Sequence, residues 1–150
     1  MIKKILIILI LALSSCGYSP INNNEKIVIK KYSNIEFEGD EELTSILKSK
    51  LNVAEDKSNL DLDKLKIKIN YNKVETSKNT KGQSTTFLST VFVEMSTYKN
   101  TELIKDINFE EKFNFEKKDN QYLQKEYEEE IKQRLLRNII DRINLSIRVQ

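Results

Sequence analysis

KLKIKINYN, residues 64–72, alternates strictly between polar and apolar side chains. Its apolar members are Leu65, Ile67, Ile69 and Tyr71. Because every second side chain of a β-strand points to the same face, this stretch predicts a strand with one buried face and one solvated face. The sequence therefore indicates a sheet with a core on one side only, and the segments around residues 64–72 decide what covers that core.

The two segments that follow continue the sheet. Residues 77–84 contain Gly82 among small polar residues and are typical of a turn. Residues 85–98 are rich in β-branched and aromatic residues, and after a second turn at residues 99–101 the apolar residues of 107–115 again alternate with polar ones. Together with residues 64–72, these segments predict a three-stranded antiparallel meander.

An additional strand and two helices are predicted around the meander. Residues 26–32 are β-branched and predict a first strand. Residues 40–51 begin with Asp40 and two acids and then show apolar residues three to four apart, which is typical of a capped amphipathic helix. A second helix is predicted over residues 121–144, where isoleucines and leucines recur every four residues. We therefore expect an α+β fold: a two-layer sandwich of a four-stranded sheet covered by two helices, in the order β-α-β-β-β-α.

The N-terminus has the pattern of an export signal. Two lysines precede the unbroken apolar run 5–13, which is followed by Ser14, Ser15 and the single cysteine of the chain, Cys16. Nine apolar residues are too few to span a bilayer, which takes about 20. The segment Leu-Ser-Ser-Cys resembles the lipobox of bacterial lipoproteins, in which the cysteine is lipidated and becomes the first residue of the mature protein. The alternative is an ordinary signal peptide that ends near a cysteine.

These observations divide the chain into three parts. Residues 1–15 are expected to be a lipoprotein signal peptide, residues 16–26 a lipidated tether, and residues 27–150 a single α+β domain. Removal of residues 1–15 takes away two lysines and leaves 23 basic and 23 acidic residues. A chain without net charge has no long-range attraction for a polyanion, so we expect no binding to nucleic acid.

The composition excludes several kinds of active site. The chain has no His, so sites that need an imidazole base or an imidazole metal ligand are excluded. A run of four glutamates lies within residues 126–130, but these acids spread around a helix axis and no glycine-containing calcium loop accompanies them. They predict a solvated helix face. We expect no metal, no cofactor and no enzymatic activity.

Three short motifs occur in one order along the chain. They are Cys16-Gly17-Tyr18 at the lipobox, Lys81-Gly82-Gln83-Ser84 at the tip of a long hairpin, and Lys118-Asp119-Asn120-Gln121 before the C-terminal helix. In this order and spacing, and in the order of its elements, the sequence resembles the LptE family of lipopolysaccharide-assembly lipoproteins. The resemblance covers nearly the whole mature chain.

The resemblance implies a non-enzymatic lipoprotein of the outer membrane, anchored on the periplasmic side through acylated Cys16. Members of the family occupy the lumen of the outer-membrane barrel LptD, assist its folding and help to deliver lipopolysaccharide to the outer leaflet. An LptD-type barrel and lipopolysaccharide are therefore the expected partners. An alternative function is that of a lipoprotein subunit of another envelope lipid transporter. A lipid-anchored enzyme is a third hypothesis, but no motif around any serine supports it.

The candidate lipopolysaccharide contacts are Lys78, Lys81 and Lys118. An ammonium group is a strong donor to phosphate, and the resemblance places Lys81 and Lys118 at or beside basic positions of the family. The alternative for these lysines is a solvated surface. Phe92 and Tyr98 have the opposite parity from Val91 and Val93, so they are candidates for a partner-binding face on the outside of the sheet.

Overall fold

The computed structural model describes residues 29–148. The signal peptide, Cys16 and the tether lie outside the described residues. The described elements follow one another as β1 (Lys30–Tyr32), β2 (Asn34–Gly39), α1 (Glu41–Lys50), β3 (Val53–Glu55), β4 (Lys64–Lys78), β5 (Ser84–Lys99), β6 (Glu102–Glu116) and α2 (Gln121–Arg148).

Four of the strands form the main sheet, in the order β2-β4-β5-β6. The strands β4, β5 and β6 are antiparallel neighbours and form the predicted meander, whereas β2 runs parallel to β4, with Asn34 opposite Lys64. The helix α1 connects the parallel pair, as a crossover between parallel strands requires. The structure confirms the α+β class, the four-stranded sheet with two helices and the order β-α-β-β-β-α.

The position of the first sheet strand differs from the prediction. The strand expected over residues 26–32 is not the edge of the main sheet: its described part forms β1, which pairs with β3 in a separate two-stranded parallel sheet. A bend at Ser33, whose N–H donates to the carbonyl of Asp63 at 2.8 Å, separates β1 from β2. In β2 the two apolar residues, Ile35 and Phe37, pack against the core and alternate with glutamates. β2 therefore forms the edge strand of the main sheet. The segment 26–32, which is richer in β-branched residues, does not.

The core lies between the inner face of the sheet and the two helices. On the sheet side, Ile67, Ile69, Val91 and Val93 are completely buried. The helix α2 contributes a continuous apolar stripe, whose buried members are Ile131, Leu135, Leu136, Ile139, Ile140, Ile143 and Ile147. Because these residues recur at three- and four-residue intervals, they lie on one side of the helix and face the sheet.

The helix α1 starts where the chain turns sharply back over the sheet. Gly39 has a φ of 116°, and a side chain there would meet the carbonyl of Ile69. The next residue, Asp40, caps the helix: its carboxylate accepts a hydrogen bond from the N–H of Leu43 at 3.0 Å. The glycine and the cap together determine where β2 ends and α1 begins.

The molecule has two distinct ends, because the long strands β4, β5 and β6 run side by side. The tip end comprises the β4–β5 turn at residues 79–83 and the loop at residues 117–120 before α2. The base end comprises the loop at residues 56–63 and the β5–β6 turn at residues 100–101. At about 3.3 Å per residue, the 15 residues of β4 separate these ends by about 50 Å. Among the described helices, none is long and apolar enough to cross a bilayer.

Candidate functional site

The β4–β5 turn at the tip end is organised by a single side chain. The Oδ1 atom of Asn79 accepts hydrogen bonds from the N–H groups of Lys81 and Gln83, both at 3.0 Å, and its Nδ2 donates to Oε1 of Gln83 at 3.1 Å. Gly82 completes the turn with a φ of 75°, and its N–H donates to the carbonyl of Asn79. The side chain of Lys81 therefore projects from a well-defined turn.

The loop before α2 is equally well defined by hydrogen bonds. The Oδ1 atom of Asn120 accepts from the N–H groups of Tyr122 at 2.8 Å and Leu123 at 3.2 Å, so Asn120 caps the helix. The N–H of Lys118 donates to Oε1 of Gln124 at 2.6 Å. One residue earlier, the N–H of Lys117 donates to the carbonyl of Thr85. That bond holds the start of this loop against β5, beside the hairpin turn.

These two segments, which lie far apart in the sequence, form the walls of one groove. The groove has a volume of about 550 Å³ and is lined on one side by Asn79 and Gln83 and on the other by Lys117, Lys118 and Asp119. Lys81 lies between Asn79 and Gln83 in the turn that forms the first wall. The structure therefore brings the hairpin tip and the start of α2 together, as a shared ligand would require.

The three candidate lysines have different surroundings. The Nζ atom of Lys78 lies 3.4 Å from a carboxylate oxygen of Glu75, so this ammonium already has an acidic partner. A hydrogen bond from Ser84, together with Lys78 and the nearby charge of Lys117, holds the pKa of Glu75 below its ordinary value. Glu75 therefore remains ionised and offsets part of the positive charge at the tip, which makes Lys78 the weakest of the three candidates.

Lys118 lies against one aromatic ring. Its Nζ atom lies 4.5 Å from the centre of the Tyr127 ring, a distance at which an ammonium is attracted to the face of the ring. Tyr127 contacts the ring of Phe115 edge-on at 5.9 Å, and Phe115 stacks with Phe87 at 5.6 Å. The ammonium of Lys118 thus contacts the Tyr127 ring at one end of this row of rings, and the lysine side chain remains exposed.

The groove carries acids as well as lysines. Glu116 and Asp119 line it together with Lys117 and Lys118, so the charges of the lining residues balance. Lys81, for which the structure of residues 29–148 shows no ion pair, tips the local balance to positive. Binding of an anion in the groove would therefore depend on the positions of individual ammonium groups and not on a strong local electrostatic potential.

Phe92 and Tyr98 lie on the outer face of the sheet, opposite the helices. Phe92 is flanked in the pairing by Asn70 and Glu110, and Tyr98 by Lys64 and Leu103. Both are half-buried. The rest of this face is largely polar and includes an ion pair between Lys66 and Glu38 at 2.8 Å. Val74 and Leu88 lie opposite each other on the same face, and Leu103 lies beside Tyr98, so the two aromatics are not its only apolar positions among the described residues. Their role as a partner-binding face stays a prediction.

Sequence reasoning missed several residues that shape the groove. Asn79 lies four residues before Gln83, with Gly82 between them. Asn and Gly at this spacing are typical of a turn, so the role of Asn79 could have been predicted from the sequence. Tyr127 had no signal, because its proximity to Lys118 depends on the path of α2. Glu75 lies only three positions before Lys78 in the same strand, and the irregular pairing at the end of β4 brings the two side chains together. Within residues 29–148, no cluster of three acidic or sulfur-bearing side chains is arranged to hold a metal ion.

Comparison with known proteins finds similarity in structure only. No protein-family profile matches the sequence, and no curated protein matches it. Rare lipoprotein B from Shewanella oneidensis has a similar structure, with a TM-score of 0.61, 17% identity, and coverage of 77% of this chain and 94% of that one. A minor lipoprotein from Acinetobacter baumannii gives a TM-score of 0.58 at 16% identity, covering 80% of this chain and 91% of the other.

A third similar structure is an uncharacterized lipoprotein B from Nitrosomonas europaea, with a TM-score of 0.55 and 16% identity, covering 77% of this chain and 80% of that one. At identities this low, the likeness establishes the fold. The comparisons therefore show that residues forming this α+β domain share their fold with solved bacterial lipoproteins.

Proposed function

We propose that this chain is a non-enzymatic lipoprotein of the outer membrane that occupies an LptD-type β-barrel and binds lipopolysaccharide at its tip end. The observation that carries the proposal is the shared groove at the tip. Two segments that resemble motifs of the LptE family, at Lys81 and at Lys118, line or border the same groove. The fold shared with solved lipoproteins supports the same family.

The phosphates of a lipid A head group fit the chemistry of the tip end. Lys81 and Lys118 are both exposed, and the ammonium of each is a donor to phosphate oxygens. A charge-assisted hydrogen bond contributes about 1.5–3 kcal/mol when it is desolvated, but an exposed ion pair only about 0–1 kcal/mol. The lysines therefore contribute appreciably only when the lipid excludes water from the groove.

The lipid anchor is proposed to be attached at Cys16, followed by Gly17. Many Gram-negative bacteria retain lipoproteins in the inner membrane through an Asp after the lipidated cysteine, and Gly17 gives no such signal. Mass spectrometry of the mature N-terminus tests this part of the proposal. A diacylglyceryl-modified Cys16 as the first residue supports it, whereas a free thiol or cleavage at another position contradicts it.

Binding of lipopolysaccharide to a charge-reversal variant tests the ligand. We expect Lys81→Glu combined with Lys118→Glu to weaken binding more than about tenfold at physiological salt, which corresponds to about 1.4 kcal/mol. The matched control combines Lys50→Glu with Arg137→Glu, which changes the net charge equally at exposed positions away from the tip. Equal affinity of the two double variants would show that the tip lysines are solvated surface and that the ligand is bound elsewhere or not at all.

A further inference from the structure

A chain of polar contacts leads from the loop before α2 to the sheet. The backbone N–H of Lys118 donates to Oε1 of Gln124 at 2.6 Å, and Nε2 of Gln124 donates to Oε1 of Glu128, also at 2.6 Å. The other carboxylate oxygen of Glu128 accepts from Nζ of Lys73 on β4 at 2.8 Å. Because an amide accepts at one end and donates at the other, Gln124 joins Lys118 to Glu128 in one orientation only.

A row of aromatic rings connects the same two lysines by a second route. The Nζ atom of Lys73 lies 5.2 Å from the centre of the Phe87 ring. Phe87 begins the row of rings that continues through Phe115 and Tyr127 to the ammonium of Lys118. The polar chain and the row of rings together form a closed circuit between the sheet and the first part of α2. Because Lys73 and Phe87 lie on the two strands that lead into the β4–β5 turn, this circuit ties the two walls of the groove together.

The side chains of Gln124 and Glu128 act on the groove from outside it. Lys118 lines the groove, whereas Gln124 and Glu128 are not among the residues that line it within residues 29–148. The start of α2 has its own cap, because Asn120 accepts from the N–H groups of the first turn. The hydrogen bond from Lys118 to Gln124 therefore fixes the loop ahead of the helix and not the helix itself.

The position of this backbone matters because lysine is a flexible binding group. Several rotatable bonds separate the backbone of Lys118 from its ammonium, and an anion can be bound only when they are ordered. A backbone that is already fixed before binding lowers the total cost of ordering, which raises the affinity. Loss of the contact with Gln124 would add the ordering of the loop to that cost.

We propose that Gln124 and Glu128 are positioning residues of the tip groove: they hold the backbone of Lys118 where its ammonium reaches a phosphate of the ligand. The inference rests on the proposed binding of lipopolysaccharide through Lys118. Gln124 holds the backbone directly. Glu128 fixes the amide of Gln124 and is itself anchored to the sheet by Lys73.

Two variants without a change in net charge test the inference in the full chain, purified in mild detergent. Gln124→Ala removes both contacts of the amide. The exchanged pair, Gln124→Glu with Glu128→Gln, restores the chain with the two groups interchanged. In that pair the carboxylate accepts from the N–H of Lys118, and the amide donates to the carboxylate and accepts from Lys73.

The matched control is Gln133→Ala. The Nε2 atom of Gln133 donates to Oε1 of Glu129 at 3.1 Å, so this glutamine also bonds to an acid four positions away on α2. Gln133 is exposed and lies further along the helix, outside the lining of the groove. The control therefore removes a similar bond without touching the loop before α2.

The first readout is amide hydrogen exchange at Lys118, measured by NMR without ligand. We expect exchange at least about threefold faster in Gln124→Ala, because a hydrogen-bonded amide is protected until its bond opens. The exchanged pair and Gln133→Ala should resemble the parent. Equal exchange in the parent and in Gln124→Ala would overturn the inference whatever the ligand is.

The second readout is the affinity for lipopolysaccharide at physiological salt. We expect Gln124→Ala to weaken binding at least about threefold, and the exchanged pair to restore it to within about twofold of the parent. In a Lys118→Ala background, Gln124→Ala should weaken binding no further, because the group that it positions is already gone.

The outcomes separate this inference from the proposed function. Equal losses on Gln124→Ala in the parent and in the Lys118→Ala background would assign Gln124 a general structural role and would overturn the inference alone. Failure of the exchanged pair to restore affinity, with normal exchange at Lys118, would do the same. A parent that binds no lipopolysaccharide would overturn the proposed function, and with it the ligand for which Lys118 is positioned.

Discussion

Asn144 of α2 accepts a hydrogen bond through Oδ1 from the backbone N–H of Asn52, at 2.9 Å. Its Nδ2 atom donates to the carbonyl of Lys50 at 3.2 Å. Lys50 is the last residue of α1, and the last carbonyls of a helix have no partner within it. One side chain therefore satisfies two backbone groups more than 90 positions away and joins α2 to the end of α1.

Loss of this side chain should destabilise the fold. We expect Asn144→Ala to lower the free energy of unfolding by about 1–3 kcal/mol, since two hydrogen bonds are lost and one is partly buried. Urea unfolding followed by circular dichroism measures the change. The control is Asn138→Ala, an exposed position of the same helix, where alanine should be neutral or slightly stabilising. Equal effects at both positions would mean that the bonds of Asn144 contribute nothing.

The two described glycines with positive φ should respond very differently to alanine. At Gly39 the new methyl group would lie 1.8 Å from the carbonyl oxygen of Ile69, so Gly39→Ala should cost more than about 3 kcal/mol or prevent folding. At Gly82 a methyl group meets nothing within 4 Å, so Gly82→Ala should cost only about 1 kcal/mol for its backbone conformation. Thermal unfolding of the two variants compares them. A similar loss at both sites would contradict the close approach of β2 and β4.

Sequence periodicity was sufficient to predict the meander and both helices. The alternation around Ile67 and the four-residue repeat around Ile139 each reflect burial of one face, which is a local property of the sequence. The edge strand was misplaced because β2 is short, and its pairing depends on the bend at Ser33 and on the partner β4. Strand β3, with only three residues, is likewise defined by its pairing with β1 and not by its own pattern.

The candidate site could be predicted only in part. The positions of Lys81 at a turn and Lys118 before a helix follow from local signals. Their common groove does not, because it depends on the register of β5 with β6, which places Thr86 opposite Glu116. The ion pair of Lys78 with Glu75 depends on the path of the chain near the end of β4.

An ion-pair cluster at Lys132 should contribute to the pH dependence of stability. The Nζ atom of Lys132 lies 2.7 Å from Glu42 of α1 and 2.8 Å from Glu129, and its side chain is only 13% exposed. Burial raises the pKa of Glu129, but hydrogen bonds from Lys132 and Gln133 outweigh this effect and hold it below the ordinary value of 4.5. The stability from this carboxylate is therefore present above about pH 4.5 and is lost as the pH falls through its lowered pKa.

We expect Lys132→Met to lower the free energy of unfolding at neutral pH by about 1 kcal/mol. The variant's free energy of unfolding should also decrease less steeply than that of the parent as the pH is lowered. The effect is modest because both glutamates are more than a third exposed and are screened by solvent. Urea unfolding between neutral and acidic pH measures the profile, and Lys125→Met, an exposed position of α2, is the control. An acid profile that is parallel to that of the parent would show that Lys132 does not stabilise the ionised form of Glu129.

The outer-face aromatics should matter for partner binding and not for folding. Replacement of Phe92 and Tyr98 by serine should leave the circular dichroism spectrum of the domain unchanged, since both side chains lie on the face away from the core. The amount of partner that co-purifies with this double variant should be smaller than the amount that co-purifies with the parent. Thr90→Ser on the same face is the control. Loss of the fold in the double variant would instead assign the aromatics to the core.

Identification of the protein that co-purifies with the lipidated chain tests the central claim most directly. The full chain, tagged at its C-terminus and expressed in a Gram-negative host, is extracted in mild detergent, and its partner is identified by mass spectrometry. The account predicts one outer-membrane β-barrel of the LptD type in about equal amount, with recovery reduced for the Phe92 and Tyr98 double variant. Recovery of an inner-membrane permease complex without a barrel would contradict it and would assign the chain to another envelope lipid transporter.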